Sequence, residues 1–149
     1  MNNLIRLIKQ SRFIWIAGNG GSAATAEHFT NDLFSRGIKA INLSSNVSIL
    51  TMIANDYGYE YIYSKQLELY SNYEDLLIVF SGSGMSKNII EAVKNKNVGH
   101  SFAIVGMDGG KVMKLSEYSI LFKNKQYGKI EDEHMRIVHR VADLLGDKK

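Results

Sequence analysis

The chain predicts a doubly wound α/β fold, a five-stranded parallel sheet with helices on both faces. Five short apolar runs lack the polar alternation of a half-exposed strand, as strands buried on both faces do. Segments with apolar residues at helical spacing lie between the runs. Glycine–serine stretches stand where two of the runs end, the place where open parallel sheets bind ligands.

The runs span Phe13 to Ala17, Lys39 to Leu43, Leu76 to Phe80, Ser101 to Val105 and Tyr118 to Phe122. A helix over Ala23 to Phe34 would align Ala26, Phe29, Thr30 and Leu33. One over Tyr59 to Tyr70 would use Ile62, Leu67 and Tyr70, and one over Asn88 to Lys96 would use Ile89, Ile90 and Val93. The last, Ile130 to Leu145, lines up His134, Ile137, Val138, Val141 and Leu145. Strands alternating with helices imply right-handed crossovers and a parallel sheet. No repeat, low-complexity tract or linker divides residues 1–149, so a single domain is expected.

Composition narrows the function classes. The chain has 149 residues, 45% hydrophobic and 22% charged, which are ordinary globular values. A net charge of +3 with scattered Lys and Arg gives no basic stripe, so no nucleic-acid partner is expected. There is no cysteine, hence no disulfide framework and no thiolate chemistry. No apolar run approaches the roughly 18 residues of a membrane span. The opening "MNNLIRLIKQSRF" is amphipathic and lacks the uninterrupted apolar centre of a signal peptide. A soluble cytoplasmic domain without a membrane partner is the expectation.

Two stretches carry chemistry. "GNGGS" at 18–22 follows the first run, and "SGSGMSKN" at 81–88 follows the third. Glycines let backbone N–H groups approach an anion, a helix N-terminus adds partial positive charge, and serine hydroxyls donate to phosphate oxygens. Ser81, Ser83 and Ser86 would surround such a phosphate; equally, Ser and Gly serve as helix caps and turn formers. No G-K-[ST] follows either stretch, and "GNGGSA" misses the dinucleotide glycine pattern, so no nucleotide cofactor is expected. His28 and Asp32 are four apart and share a helix face, while Glu131 and His139 lie two turns apart on the last helix. Two imidazoles and two carboxylates could form an N/O metal site or an acid–base group; each could also be a surface contact or a partly buried helix residue.

Together "GNGGSAATAEHFTNDL", "LSSNVSILTMIANDYGYEYIYSKQLE", "SGSGMSKNIIEA", "GMDGGK" and "IEDEHMRIVHRVADLL" resemble, in order, the sedoheptulose-7-phosphate (phosphoheptose) isomerases of the sugar isomerase (SIS) domain superfamily. The resemblance runs from about residue 13 to the C-terminus. It implies a flavodoxin-like sandwich assembled as a homotetramer, with active sites shared between subunits. It also implies an aldose–ketose isomerisation of a phosphorylated sugar through an enediol, serving heptose precursors of lipopolysaccharide or capsule. By the same resemblance Asn19, Gly20, Ser22 and Asp56 contact the sugar, and Ser81, Ser83 and Ser86 hold the phosphate. His28, Asp32, Glu131 and His139 fall on the metal and acid–base group, with Asp32 and His139 as proton carriers and His28 and Glu131 completing the metal site.

The chain departs from the family pattern at four of these places. Asp32 stands where the family usually has Glu, Glu131 for Gln, Gly82 for Thr and Gly128 for Asp. Two carboxylates with two imidazoles still suit a divalent metal such as zinc. The family's long N-terminal helix is reduced to "MNNLIRLIKQ". Two other functions compatible with the same loops are isomerisation of a different phosphosugar and non-catalytic binding by an SIS adaptor.

Overall fold

A computed structural model describes residues 1–146. Five strands form one sheet: β1 (Ile14–Ala17), β2 (Ala40–Asn42), β3 (Leu76–Ser81), β4 (His100–Gly106) and β5 (Tyr118–Phe122). Their order is β2-β1-β3-β4-β5, and every neighbouring pair is parallel. The helices are α1 (Asn2–Gln10), α2 (Gly21–Ser35), α3 (Val47–Asp56), α4 (Ser64–Tyr70), α5 (Lys87–Val93), α6 (Gly110–Leu115) and α7 (Tyr127–Leu145). Helices cover both faces, as the apolar runs required. No helix among the described residues is long and apolar enough to cross a membrane.

Each face of the sheet seals its own core. Ile14, Ile16, Leu76, Ile78, Phe80, Phe102 and Ile104 point to the side of α1, α2 and α7, where Leu7, Phe29, Leu33, Val138 and Val141 meet them. Trp15, Ala17, Leu77, Val79, Ala103 and Val105 point to the other side, against Ile53, Leu67, Ile89 and Val112 of α3, α4, α5 and α6. Successive residues thus face opposite cores, which is why the strands read as continuous apolar runs. At the amino end of β3, the wholly buried Asp75 accepts from Arg12 Nε and Nη2, from Trp15 Nε1 and from the Asn72 N–H. A buried carboxylate with this many donors is fully compensated.

Several boundaries differ from the sequence expectation. Phe13, Lys39 and Leu43 lie just outside the strands, their backbone groups closing the ladder ends. The expected helix over 59–70 is broken: a 3-10 turn at Tyr59–Tyr61 follows Gly58, and α4 begins only at Ser64. The break aims Tyr63 inward, toward the end of β1. Helices α3 and α6 appear where no stripe was read. Only Ile53 of α3 is buried while Val47 and Met52 are exposed, and α6 has only six residues. The Asn46 side chain, which accepts from the Ile49 N–H to cap α3, was the available signal.

His134 is fully buried on α7, between the rings of Phe80 and Phe122 at centroid distances of 5.6 and 6.3 Å. Neither ring nitrogen has a hydrogen-bond partner. Burial pulls its pKa down from 6.5 to about 4. The folded state holds the ring neutral, whereas the unfolded chain takes up a proton below about pH 6.5. This contribution to stability is whole above pH 6.5 and is lost progressively toward pH 4. We expect wild type to lose about 3 kcal/mol more than His134→Phe between pH 7.5 and pH 4. Urea unfolding at both pH values measures it; parallel losses in the two proteins would show that His134 does not carry the effect.

Candidate active site

In a sheet of order 2-1-3-4-5 the chain leaves β1 and β3 in opposite directions, opening a crevice at their carboxyl ends. A cavity of about 240 Å³ lies there. One wall is the turn after β1, with Asn19, Gly20, Gly21 and Ser22; the facing wall is the loop after β3, with Ser81, Gly82, Ser83 and Ser86. Tyr127 and Glu131 of α7 complete it. The turn needs glycine at position 20, where φ is 55° and ψ −123°, a conformation that a side chain disfavours. At Gly21 the Glu131 carboxylate occupies the space a Cβ would take, so a side chain there would displace it.

The serine loop is shaped by its own hydroxyls. Ser81 Oγ accepts from the Gly84 N–H at 3.1 Å and Ser83 Oγ from the Met85 N–H at 3.2 Å. Ser86 is the N-cap of α5, yet its side chain makes no capping bond. Each hydroxyl used as an acceptor keeps its own proton to donate. Donors on two walls and a carboxylate on the third suit an anionic, hydroxylated ligand.

A clamp ties the two walls together. Asn19 Nδ2 donates to Asn88 Oδ1 and Asn88 Nδ2 donates to Asn19 Oδ1, both at 2.8 Å. Asn88 is almost fully buried and also accepts from the Ile89 N–H. Tyr63 braces the first wall from behind by donating to the Gly18 carbonyl, with Ser44 Oγ 2.9 Å from its oxygen. Burial pushes the Tyr63 hydroxyl up to about 12, so it remains a donor throughout the neutral range. Neither Asn88 nor Tyr63 was singled out from the sequence. Asn88 was within reach, as the last letter of "SGSGMSKN"; the partner 69 residues away was not.

The proposed metal and acid–base residues divide into two places. His28 Nε2 lies 3.2 Å from His139 Nε2, with the rings edge to face, and 3.5 Å from Asp32 Oδ2. Two ring nitrogens at that distance share one proton, one donating and the other accepting. Asp32 Oδ2 is buried and has no hydrogen-bond partner. Glu131 is not in this cluster. It lies eight residues before His139, about 12 Å along the helix, and its carboxylate is turned to Gly21 and the cavity. Among the described residues no three His, Asp or Glu side chains gather into a ready metal cage. Asp56 stands apart, exposed at the end of α3, where it accepts from Asn55 Nδ2. Asn19, Gly20, Ser22, Ser81, Ser83 and Ser86 all line the one cavity.

The clamp predicts the cost of breaking it. Asn88→Ala removes both Asn19–Asn88 bonds, leaving Asn19 Nδ2 without that acceptor and Oδ1 with only the Tyr63 hydroxyl at 3.1 Å, and stability should fall by about 1–3 kcal/mol. Affinity for inorganic phosphate, measured by titration calorimetry, should fall several-fold as the walls lose register. Asn88→Asp keeps the acceptor but sets a buried carboxylate oxygen against Asn19 Oδ1, so it should cost at least as much as alanine in both stability and phosphate affinity. Unchanged phosphate affinity in Asn88→Ala would show that the walls hold without the clamp.

The SIS domain family model matches residues 1–105. The phosphoheptose isomerase of Helicobacter pylori strain P12 is 39% identical over 150 residues, covering 95% of this chain and 78% of that protein. The one from Aneurinibacillus thermoaerophilus is 37% identical, covering 95% and 75%. Among solved structures, the phosphoheptose isomerase of Neisseria gonorrhoeae matches with a TM-score of 0.93 at 32% identity, over 97% of this chain and 84% of that one. By its sheet order, its two-walled cavity and these similarities, the chain belongs to the SIS domain family and, within it, to the phosphoheptose isomerases.

Proposed function

We propose that this protein is an aldose–ketose isomerase that converts sedoheptulose 7-phosphate to D-glycero-D-manno-heptose 7-phosphate in the cytoplasm, feeding heptose precursors of lipopolysaccharide or capsule. One observation carries the reading. A cavity of serine hydroxyls and glycine backbone sits beside a carboxylate, and a second carboxylate lies against an imidazole that in turn contacts another on the same pair of helices. The first group suits a phosphorylated polyol and the second suits proton transfer.

In this mechanism Ser81, Ser83 and Ser86 anchor the phosphate, and Asn19 and Ser22 orient the sugar. Remote binding energy thereby positions the reacting end. Isomerisation moves a proton between C1 and C2 through a cis-enediol. Asp32 takes and returns the carbon-bound proton, and His139 serves the oxygens. His28, in contact with both, passes charge between them. Glu131 sits at the cavity wall, within the sugar end of the site. A homotetramer with shared sites, as in the family resemblance, would bring a neighbour's residues to the same cavity.

The residues fit a divalent metal such as zinc in part. Donor atoms 3.2 and 3.5 Å apart have the spacing of neighbouring ligands on a tetrahedral zinc, about 3.3 Å for bonds of 2.0–2.1 Å. His28 and His139 would be the ion's imidazole donors and Asp32 Oδ2, beside His28, the carboxylate that must close in on them, with Glu131 outside the set. When bound, it would polarise the substrate carbonyl.

The test is an NMR time course of sedoheptulose 7-phosphate in D2O with purified protein of measured metal content. Conversion to the aldose with deuterium entering at C2 is expected. Ligand signals that shift without conversion would point to a different phosphosugar or a binding module, and no interaction at all to a protein partner. Asp32→Asn should lose turnover by at least a factor of about 100 while retaining ligand binding, the size of effect expected for a proton carrier. Normal turnover in that variant would remove Asp32 from the mechanism.

A further inference from the structure

Gly82 lies at the centre of the serine loop, between Ser81 and Ser83, and its backbone does not call for glycine. Unlike Gly20 and Gly84, it has no positive φ. What excludes a side chain is a single neighbour. A Cβ at position 82 would lie 2.8 Å from both Cδ1 and Cε1 of Tyr127, with no other atom crowding it. Tyr127 opens α7, is 56% exposed, and lines the cavity beside the serines. Glu131, one turn later on the same helix face, enters the matching notch at Gly21. Helix α7 therefore sets two side chains into two glycine notches, one on each wall.

We propose that Tyr127 is a specificity-determining residue of this cavity, its ring taking the space of a residue-82 side chain and making one wall of the phosphate cradle apolar. The consequence is selectivity for phosphate esters over free phosphate. A free phosphate ion carries hydrated oxygens on every side and gains nothing from an aromatic face. An ester presents a carbon chain whose C–H groups can cover the ring. Burying on the order of 40 Å² of such surface favours the ester roughly fivefold. This inference rests on the proposed function only in taking a sugar phosphate as the ligand.

The experiment compares wild type, Tyr127→Ala, Gly82→Thr and the double variant by calorimetric titration with two ligands, sedoheptulose 7-phosphate and inorganic phosphate. Tyr127→Ala should weaken the sugar phosphate roughly fivefold and leave inorganic phosphate within about twofold. Gly82→Thr should expel the ring and reproduce that loss. The double variant should be no worse than Tyr127→Ala alone, because the threonine then has room. Tyr127→Gln, of similar length but without the ring, should lose the same discrimination and guards against a folding artefact in the alanine variant. Equal weakening of both ligands, or independent multiplication of the two single effects, would overturn the proposal, as would a wild type with no ester preference. The sugar phosphate is titrated as its equilibrated ketose–aldose mixture, so turnover adds no net reaction; absent turnover would count against the isomerase reading while these affinities still decide the role of Tyr127.

Discussion

Strands β1 and β3 are hydrogen-bonded neighbours, with Ile14 beside Leu76 and Ala17 beside Val79. That pairing fixes where everything at the cavity can be. Parallel strands lie about 4.8 Å apart, so the loops that leave their carboxyl ends start close together and then diverge. Both strands are buried on both faces, and a slip of one residue would exchange the two cores. The same slip would carry Asn19 away from Asn88. Register in the sheet and closure of the cavity are one constraint, written in apolar side chains and read out by two amides.

The second constraint comes from α2 and α7, which run side by side in the same direction from the carboxyl edge of the sheet. Their first turns meet where Glu131 fits over Gly21, and their later turns meet where His139 faces His28. One helix pair thereby presents the Glu131 carboxylate near the serine loop and the His28–His139–Asp32 group two turns beyond. In the proposed mechanism, binding and proton transfer would occupy different levels of this one helix pair. His134, midway along α7, belongs to neither; it is packed against Phe80 and Phe122 as part of the core.

Much of this was legible in the letters. Central strands buried on both faces are apolar through their middles, so β1, β3 and β4 announced themselves, while β2 at the edge has three residues with Ile41 43% exposed. The serine and glycine loops were legible by position, since they follow two apolar runs at the strand ends where open parallel sheets bind ligands. Helix α3 was not, since its apolar side chains are spread around the helix rather than on one stripe. The Asn19–Asn88 clamp and the seating of Tyr127 on Gly82 join residues far apart in the chain, and nothing local encodes them. The spacing of Glu131 and His139 correctly gave two turns. Only the packing shows that two turns is enough to put them at different places.

The seating of α7 also bears on how the protein comes into being. Every element of the sheet precedes α7 in the chain, and domains emerge from the ribosome N-terminal part first. A nascent chain that has released β5 can pair all five strands and close the Asn19–Asn88 clamp. It still lacks Tyr127, Glu131 and His139. Until α7 is out, the face holding Phe29, Phe80 and Phe102 has no complete cover, and the phosphate loops have no third wall. Cover for that core and the third wall of the cavity thus arrive together, on the last of the described elements to be synthesised.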